Sequence, residues 1–358
     1  MNIMVFDVPA EHGGALSILN EFYAEVAHHD DKDINWIFVL GKPSLESQPN
    51  IEVLNFPWIK KSWWHRLYFD YVIAPKLVKK YEVDRIFSLQ NVTVPFVGVD
   101  QTLYVHQSLP FAEHRFNLRE SRISWIYQNI IGKLILRSIR KAKKVVVQTQ
   151  WLKEVIATKG NISREKIEIV PPKIELEIKS KFVPTKNALT TFFYPAGATM
   201  YKNHEVIVEA CRILVRKGAG DFLVIFTLTG DENKNTAELL SIVRQEGLPV
   251  EFTGTMSRED VFDFYSKSVL LFPSYIETFG LPMLEARLHE TVVVASDCSF
   301  SHEILDGYEN AYFFNPFDAE QLADYMMGFL SGRIEYIKVD SDAMVETAEN
   351  LRLVDIIL

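Results

Sequence analysis

The chain has 358 residues, of which 48% are hydrophobic and 24% charged, the composition of an ordinary globular protein rather than of a disordered or fibrous one. This length exceeds the size at which a single hydrophobic core keeps growing, so two domains are expected. The formal net charge of −9, without a recognised nucleic-acid-binding module, makes nucleic acid a poor partner.

Three features of the sequence bear on its compartment. No apolar run approaches the ~18 to 20 residues that would span a bilayer, and the start, MNIMVFDVPAEHGG, lacks the charged beginning and long apolar middle of a signal peptide. The two cysteines, Cys211 and Cys298, have neither metal-ligand spacing nor the partners for a disulfide framework. We therefore expect a cytoplasmic protein.

Short apolar runs alternate with amphipathic stretches along the whole chain, which is typical of βαβ units around a parallel sheet. The predicted strands of the first half are 2–8, 34–41, 51–56, 84–89, 101–107, 143–149 and 166–171, and those of the second half are 190–197, 221–230, 250–254, 269–274 and 291–296. The main predicted helices are 14–29, 118–142, 203–217, 234–246 and 258–267.

This alternation predicts an α/β fold of two Rossmann-like, doubly wound parallel-sheet domains. Lysine and arginine outnumber aspartate and glutamate before residue 170, and the balance reverses after it. The proline-containing stretch 171–188 has little apolar periodicity and is predicted to be a linker. The expected domains are 1–172, 173–335 and a C-terminal helix within 336–358.

Two glycines, Gly13 and Gly14, follow the first predicted strand and open the first helix. Glycine lets the backbone approach a phosphate closely, and a helix N-terminus favours anions, but a tight strand-to-helix turn explains the pair equally well. Next along the chain, the Asp-x-Asp of Asp31 and Asp33 resembles a metal site. It lies at the wrong end of the predicted sheet for one, so we interpret it as a solvated turn and predict no metal.

Two stretches of the first half combine aromatic or apolar side chains with basic ones. They are 56–81, with Trp63, Trp64 and Lys61 among its residues, and the basic, apolar helix within 119–144. Such segments can lie in a membrane interface, anchored by aromatic rings and attracted by anionic lipid. An interdomain core with a solvated basic face is the alternative interpretation.

His106 ends a predicted strand of the first half, where an imidazole could donate a proton to a reacting oxygen. A lone histidine is more often simply satisfied within the fold. In the second half, Lys202 stands at a predicted helix start, against the helix dipole, which suggests that its charge serves a ligand such as a diphosphate. A solvated lysine is the alternative there.

The stretch PSYIETFGLPMLEA, residues 273–286, places Glu277 in a loop and Glu285 about one turn into a helix. Gly280 and Pro282 form the turn between them, and proline in a first helical turn loses no hydrogen bond. A purely structural interpretation also explains the pair: the helix dipole favours an acid at Glu285, and Glu277 is a solvated loop residue. A carboxylate is also the usual acceptor for both vicinal hydroxyls of a ribose.

These residues bring out a resemblance to a known family. The frame PSYIETFGLPMLEA is similar, almost residue for residue, to the paired-glutamate motif of the retaining GT-B glycosyltransferases of glycosyltransferase family 4, the glycosyl transferases group 1. The stretches VHQSLPF, VVVQTQWLKEVI, YKNHEVIVEA and VEFTGTMSREDVFDFYSKS fall in the order found in that family. The resemblance covers most of the chain and is carried by the ordered set.

The resemblance implies a role for each matched position. Glu285 would hold the ribose of a nucleotide-sugar, Glu277 a hydroxyl of the donor sugar, and Lys202 the diphosphate, with His106 near the anomeric carbon. Further contacts with the nucleotide-sugar are expected from Gly13, Gly14, Gly254, Met256, Thr278, Phe279, Gly280 and Leu281. In the family an arginine usually precedes the lysine by five or six residues, and this chain has Ala196, Gly197 and Ala198 there.

The resemblance therefore implies a hexosyltransferase that needs neither metal nor cofactor. It would move a sugar with retention, from a UDP- or GDP-sugar to a saccharide or lipid-linked saccharide acceptor, in surface polysaccharide synthesis at the inner face of the plasma membrane. Two alternatives stay open: a nucleotide-sugar epimerase on the same fold, and a catalytically silent protein that binds nucleotide-sugars or acts as a scaffold, which the missing arginine makes conceivable.

Overall fold

The computed structural model describes residues 1–11, 13–29, 31, 33–42, 44–173, 178–339 and 351–358. The chain divides into two compact units, one formed by residues 1–174 and 346–358 and the other by residues 175–345. The linker expected at 171–188 and the C-terminal helix expected within 336–358 both lie partly outside the described residues, at 174–177 and at 340–350.

The first unit is built on a seven-stranded parallel sheet with the strand order β3-β2-β1-β4-β5-β6-β7. Its strands are β1 (Asn2–Asp7), β2 (Asn35–Leu40), β3 (Ile51–Asn55), β4 (Arg85–Ser88), β5 (Asp100–Tyr104), β6 (Lys144–Val147) and β7 (Ile167–Ile169). Its helices up to this point in the chain are α1 (Gly13–Ala27), α2 (Trp63–Tyr68), α3 (Ala74–Lys80), α4 (Arg122–Ile126), α5 (Gly132–Lys141) and α6 (Gln150–Gly160). Short 3₁₀ turns are Pro57–Lys61 and Arg164–Lys166, and single π-helical turns, Phe69–Ile73 and Tyr127–Ile131, join α2 to α3 and α4 to α5.

Both faces of this sheet are covered. Alternate residues of each strand point to opposite sides, and the residues on both sides are buried. Ile3 and Val5 of β1 pack with the aromatic cluster around Phe22 of α1, whereas Met4 and Phe6 pack on the other face. Phe22 contacts the ring of Phe87 at a centroid distance of 4.8 Å. The apolar runs of the sequence are therefore strands buried on two sides.

The second unit has a six-stranded parallel sheet with the order β10-β9-β8-β11-β12-β13. Its strands are β8 (Thr191–Tyr194), β9 (Leu223–Phe226), β10 (Val250–Phe252), β11 (Val269–Phe272), β12 (Val293–Ser296) and β13 (Ala311–Phe314). Its helices are α7 (Lys186–Thr190), α8 (His204–Arg216), α9 (Lys234–Glu246), α10 (Arg258–Lys267), α11 (Leu281–Leu288), α12 (Ser299–Leu305) and α13 (Ala319–Leu330), and the 3₁₀ turn Met200–Lys202 precedes α8.

The chain ends in helix α14 (Leu353–Ile357), which packs against α1 of the first unit. The buried carboxylate of Glu25 on α1 accepts a hydrogen bond from the backbone N–H of Val354 at 3.2 Å and pairs with Lys173 at 2.5 Å. At the other end of α14, the Arg85 guanidinium donates to the carbonyl oxygen of Ile357 at 2.6 Å. These contacts satisfy polar groups at both ends of a short helix.

Candidate functional site

The candidate site lies where the strand order of the second sheet reverses. In this sheet, β8 lies between β9 and β11. The connections that leave the carboxyl ends of β8 and β11 therefore run in opposite directions. In doubly wound sheets this divergence opens the crevice in which ligands bind. The segment after β8 carries Lys202, and the segment after β11 carries Glu277.

Lys202 and Glu277 form an ion pair across this point. Their side chains keep 22% and 14% of their surface exposed, so the pair is largely shielded but still reaches solvent. Glu277 is engaged through Oε1, and its second oxygen, Oε2, accepts no hydrogen bond from the described residues. An ammonium has three donors, so Lys202 can keep Glu277 and still donate to an incoming anion.

The two loops that carry the pair are tied to each other. The carbonyl oxygen of Tyr201 accepts hydrogen bonds from the backbone N–H of Tyr275 at 3.1 Å and from the hydroxyl of Ser274 at 3.2 Å. The side chain of Asn203 donates to the carbonyl of Pro273 at 3.3 Å, and its own backbone has φ +61°, which turns the chain into α8. Because these bonds hold the two loops together, the side chains of Lys202 and Glu277 stay close enough to pair.

The turn before α11 depends on Gly280. Its φ of +91° is a conformation that other residues rarely adopt, and a Cβ built there would lie 2.5 Å from Cε of Met283. The predicted backbone turn is therefore present, and Thr278, Phe279 and Leu281 lie within or beside it, with Leu281 as the first residue of α11. Pro282 has no N–H and the N–H of Met283 donates to the Gly280 carbonyl at 3.0 Å, so the N–H of Leu281 is the backbone donor that this helix start can offer an anion.

Replacing Gly280 by alanine should therefore lower the unfolding free energy of the second unit by about 1–3 kcal/mol, the usual cost of a strained backbone position. The methyl group also meets Met283, which can move only partly because its side chain is buried. Thermal melting would measure the loss. Gly197→Ala is the matched control, since a Cβ at that glycine meets nothing within 4 Å, and equal melting temperatures for both variants would contradict the prediction.

Glu285 lies further along α11 and belongs to a second set of contacts. Its side chain is 13% exposed; Oε2 accepts a hydrogen bond from the Tyr265 hydroxyl at 3.2 Å, and Oε1 lies 3.5 Å from the Arg258 guanidinium. Burial raises the pKa of Glu285, and the nearby Arg258 opposes that rise. The structure thus brings Lys202 and Glu277 together and gives Glu285 different partners, eight residues further along the same segment.

The remaining predicted residues of the second unit form the loop after β10. Gly254 is buried with φ +78°, and its N–H donates to the carbonyl of Leu228 at 2.9 Å. This bond joins the loops that follow β9 and β10 at the carboxyl edge of the sheet. Met256 is half-buried two residues on, just before α10. Their assignment to the base of a nucleotide stays a prediction.

In the first unit, Gly13 and Gly14 begin α1 after β1, and a Cβ at either would meet nothing within 4 Å. Neither glycine is needed for packing, although Gly13 has φ +59°. His106 follows β5 and is held by its neighbours: Nε2 lies 3.0 Å from both the Leu89 carbonyl and the Asn91 side chain. Burial lowers the pKa of His106, so the ring is neutral near pH 7. Its catalytic role stays a prediction.

Two residues of the site went unassigned in the sequence, Arg258 and Tyr265. Arg258 is the first residue of α10, so its charge opposes the helix dipole, just as that of Lys202 does. The same criterion would have found it. No sequence pattern indicates that the hydroxyl of Tyr265, an otherwise fully buried ring, donates to Glu285.

Comparison with known proteins gives a fold for the chain and a family match for its second half. Residues 176–349 match the family described as Glycosyl transferases group 1. The O-antigen chain mannosyltransferase RfbU of Salmonella typhimurium is 24% identical over 259 residues, which cover 70% of this chain and 66% of that protein. This chain therefore spans about two thirds of the length of that relative.

Solved structures share the fold at low sequence identity. Sucrose-phosphate synthase from Thermosynechococcus elongatus superposes with a TM-score of 0.66 and 16% identity, over 92% of this chain and 90% of that one. HepE from Anabaena, solved in complex with UDP-glucose, gives a TM-score of 0.62 and 16% identity, over 93% and 90%. The chain has the GT-B fold, and residues 176–349, just under half of its length, match the glycosyl transferases group 1. The predicted fold class is confirmed, and the family match agrees with the resemblance seen in the sequence.

None of the helices among the described residues is both long and apolar enough to cross a bilayer. Within the same part of the chain, no three His, Cys, Asp or Glu side chains are grouped as metal ligands would be.

Proposed function

We propose that this protein transfers a hexosyl residue from a nucleotide-sugar to a saccharide or lipid-linked saccharide acceptor during synthesis of a surface polysaccharide. The observation that carries the proposal is the Lys202–Glu277 pair at the strand-order reversal, followed eight residues later by the shielded carboxylate of Glu285. A nucleotide-sugar needs a cation for its diphosphate and a hydrogen-bond acceptor each for its sugar and its ribose. Lys202, Glu277 and Glu285 are groups of these three kinds.

The chemistry follows from those groups. As the sugar leaves, negative charge develops on the diphosphate, and Lys202 with the backbone N–H of Leu281 at the start of α11 can stabilise it. The anomeric carbon then has oxocarbenium character, as in glycoside hydrolysis. Glu277 positions a donor hydroxyl through its unused Oε2, and Glu285 accepts from the ribose. We propose transfer with retention, with no metal needed for these contacts; undiminished turnover in EDTA would support the second point.

The relatives narrow the donor. RfbU is by its name a mannosyltransferase, and HepE is complexed with UDP-glucose. We therefore propose a UDP- or GDP-hexose. A thermal-shift panel of nucleoside diphosphates and their sugars should show one base with a clear rise in melting temperature, because a ligand that binds only the folded state stabilises it.

A second experiment distinguishes sugar transfer from the two alternatives, an epimerase and a silent binding protein. With the donor identified, incubation with saccharide acceptors should give a new glycoside. A changed sugar without acceptor would favour an epimerase, and donor binding with neither transfer nor hydrolysis would favour a silent binding protein. No rise in melting temperature with any nucleotide would contradict the proposal as a whole.

Replacing Glu285 by glutamine should weaken donor binding about 10- to 100-fold, because a hydrogen bond to a charged acceptor is lost. Affinity for the nucleoside diphosphate, measured by calorimetry, should fall nearly as much as affinity for the nucleotide-sugar, since the ribose is common to both. Glu238→Gln, on the exposed face of α9, is the control. Unchanged affinity for the nucleoside diphosphate would remove Glu285 from the ribose.

We also propose that the first unit meets the membrane surface from which a lipid-linked acceptor would be drawn. Trp63 and Trp64 are 64% and 80% exposed, as membrane-interface aromatics would be. Lys60 and Arg66, by contrast, are engaged with Glu11 and Asp70. Sedimentation with anionic vesicles should fall when Trp63 and Trp64 are both replaced by serine; undiminished sedimentation would count against this contact.

A further inference from the structure

A groove of about 410 Å³ runs along one side of the first unit, and none of the candidate site residues lines it. One end is formed by α2 and the π-helical turn after it, around Leu67 and Asp70. The middle is the segment 92–99 between β4 and β5, and the other end is the last part of α5, with Arg137 and Lys141. Its size falls within the range of small-molecule sites.

The lining of the groove exposes large apolar side chains. Leu67, Tyr71, Phe96 and Leu134 are 41%, 44%, 82% and 40% exposed. Phe96 also has φ +58°, a strained conformation for a bulky residue, and its ring lies 6.0 Å from that of Tyr71. Neither strain nor exposure of this ring helps the fold, and backbone strain of this kind concentrates at ligand sites.

The charges of the groove are not balanced. Both acids are paired, Asp70 with Arg66 at 2.6 Å and Asp100 with Lys143 at 2.5 Å. Arg137 and Lys141 lie one helical turn apart on α5 and form no ion pair with any described residue. The helix dipole favours Lys141 in the last turn, but Arg137 stands a turn earlier, and two like charges at this spacing repel.

We propose that this groove binds one anionic phospholipid of the membrane, with an acyl chain between Tyr71, Phe96 and Leu134 and the phosphate against Arg137 and Lys141. An apolar channel that ends at two unpaired cations matches an amphiphile with an anionic head. A lipid-linked acceptor fits less well, because the cations lie beside Lys143 and Asp100, at the amino ends of the strands, whereas ligands of such sheets meet the carboxyl ends.

The test uses the full chain and dioctanoyl phosphatidylglycerol below its micelle-forming concentration, titrated by calorimetry. The lipid should bind, and the double variant Arg137→Glu/Lys141→Glu should weaken binding about tenfold or more, since each cation near a lipid phosphate contributes. Lys76→Glu/Lys79→Glu changes the same charge on α3, outside the groove, and should leave affinity unchanged.

A second variant separates binding from folding. Phe96→Gly relieves the positive φ, so its melting temperature should stay level or rise while lipid affinity falls. Inorganic phosphate should not compete, and dioctanoyl phosphatidylcholine should bind more weakly. Equal binding of both lipids, competition by phosphate alone, or full affinity in the Arg137/Lys141 double variant would each overturn the proposal. None of these readouts depends on sugar transfer.

Discussion

Replacing Lys202 by methionine is expected to lower kcat for sugar transfer by about 10²- to 10³-fold, the usual effect of removing one group that stabilises developing charge. In the proposed reaction the diphosphate of the donor is already charged in the ground state, but its charge grows as the glycosidic bond breaks. The loss in kcat should therefore exceed the loss in donor affinity. Steady-state kinetics together with calorimetric donor affinity would measure both.

The variant also leaves Glu277 without its partner, so its fold must be checked. Lys217→Met is the control, because it makes the same substitution and breaks a Lys–Glu ion pair, with Glu320, that lies on the exposed surface of the same unit. Glu277→Gln should lower kcat less than Lys202→Met, since it removes a positioning contact and leaves the cation in place. A Lys202→Met enzyme with normal kcat and normal melting would refute the assignment of the leaving-group role.

Much of the fold could be predicted because buried parallel strands are short, nearly continuous apolar runs. The strand β13, AYFF at 311–314, was not predicted. Its residues are mostly half-buried, and it is not part of a longer apolar run. The two π-helical turns could not be predicted either, because one extra residue in a helical turn changes its backbone hydrogen bonds without a signature in composition.

Less of the site than of the fold could be predicted from the sequence. The resemblance indicated the segments around Lys202, Glu277 and Glu285, and the structure shows which side chains touch. The pairing of Lys202 with Glu277 joins residues 75 positions apart and follows only from the adjacency of β8 and β11. The contact of Glu285 with Arg258 depends in the same way on how α10 packs beside α11.

A buried acid of the first unit escaped the sequence analysis entirely. Asp7, the last residue of β1, is 1% exposed, and no described residue forms a hydrogen bond with its Oδ1. Burial raises the pKa of Asp7 from 3.8 to about 7, although the Ala10 amide and the charges of Arg66 and Lys60 favour the ionised form. An aspartate in an otherwise apolar strand gives no indication of this from sequence.

Replacing Asp7 by asparagine is therefore expected to change how stability depends on pH. In the unfolded chain Asp7 ionises near pH 3.8, whereas in the folded protein it keeps its proton up to about pH 7. Between these values the folded state binds one proton more, so the unfolding free energy falls as pH rises, by about 1.4 kcal/mol per unit and about 4 kcal/mol in all. Asp7→Asn should remove this contribution.

Urea unfolding at pH 5, 6, 7 and 8 would measure it. All six tryptophans lie within residues 1–174, so their fluorescence follows the first unit. The slope of stability against pH should be more negative in the parent protein than in Asp7→Asn, whereas the exposed-site control Asp33→Asn should match the parent. The comparison of slopes is decisive, because a buried amide has its own cost at every pH. Parallel slopes for the parent and Asp7→Asn would show that Asp7 is ionised in the folded protein throughout this range.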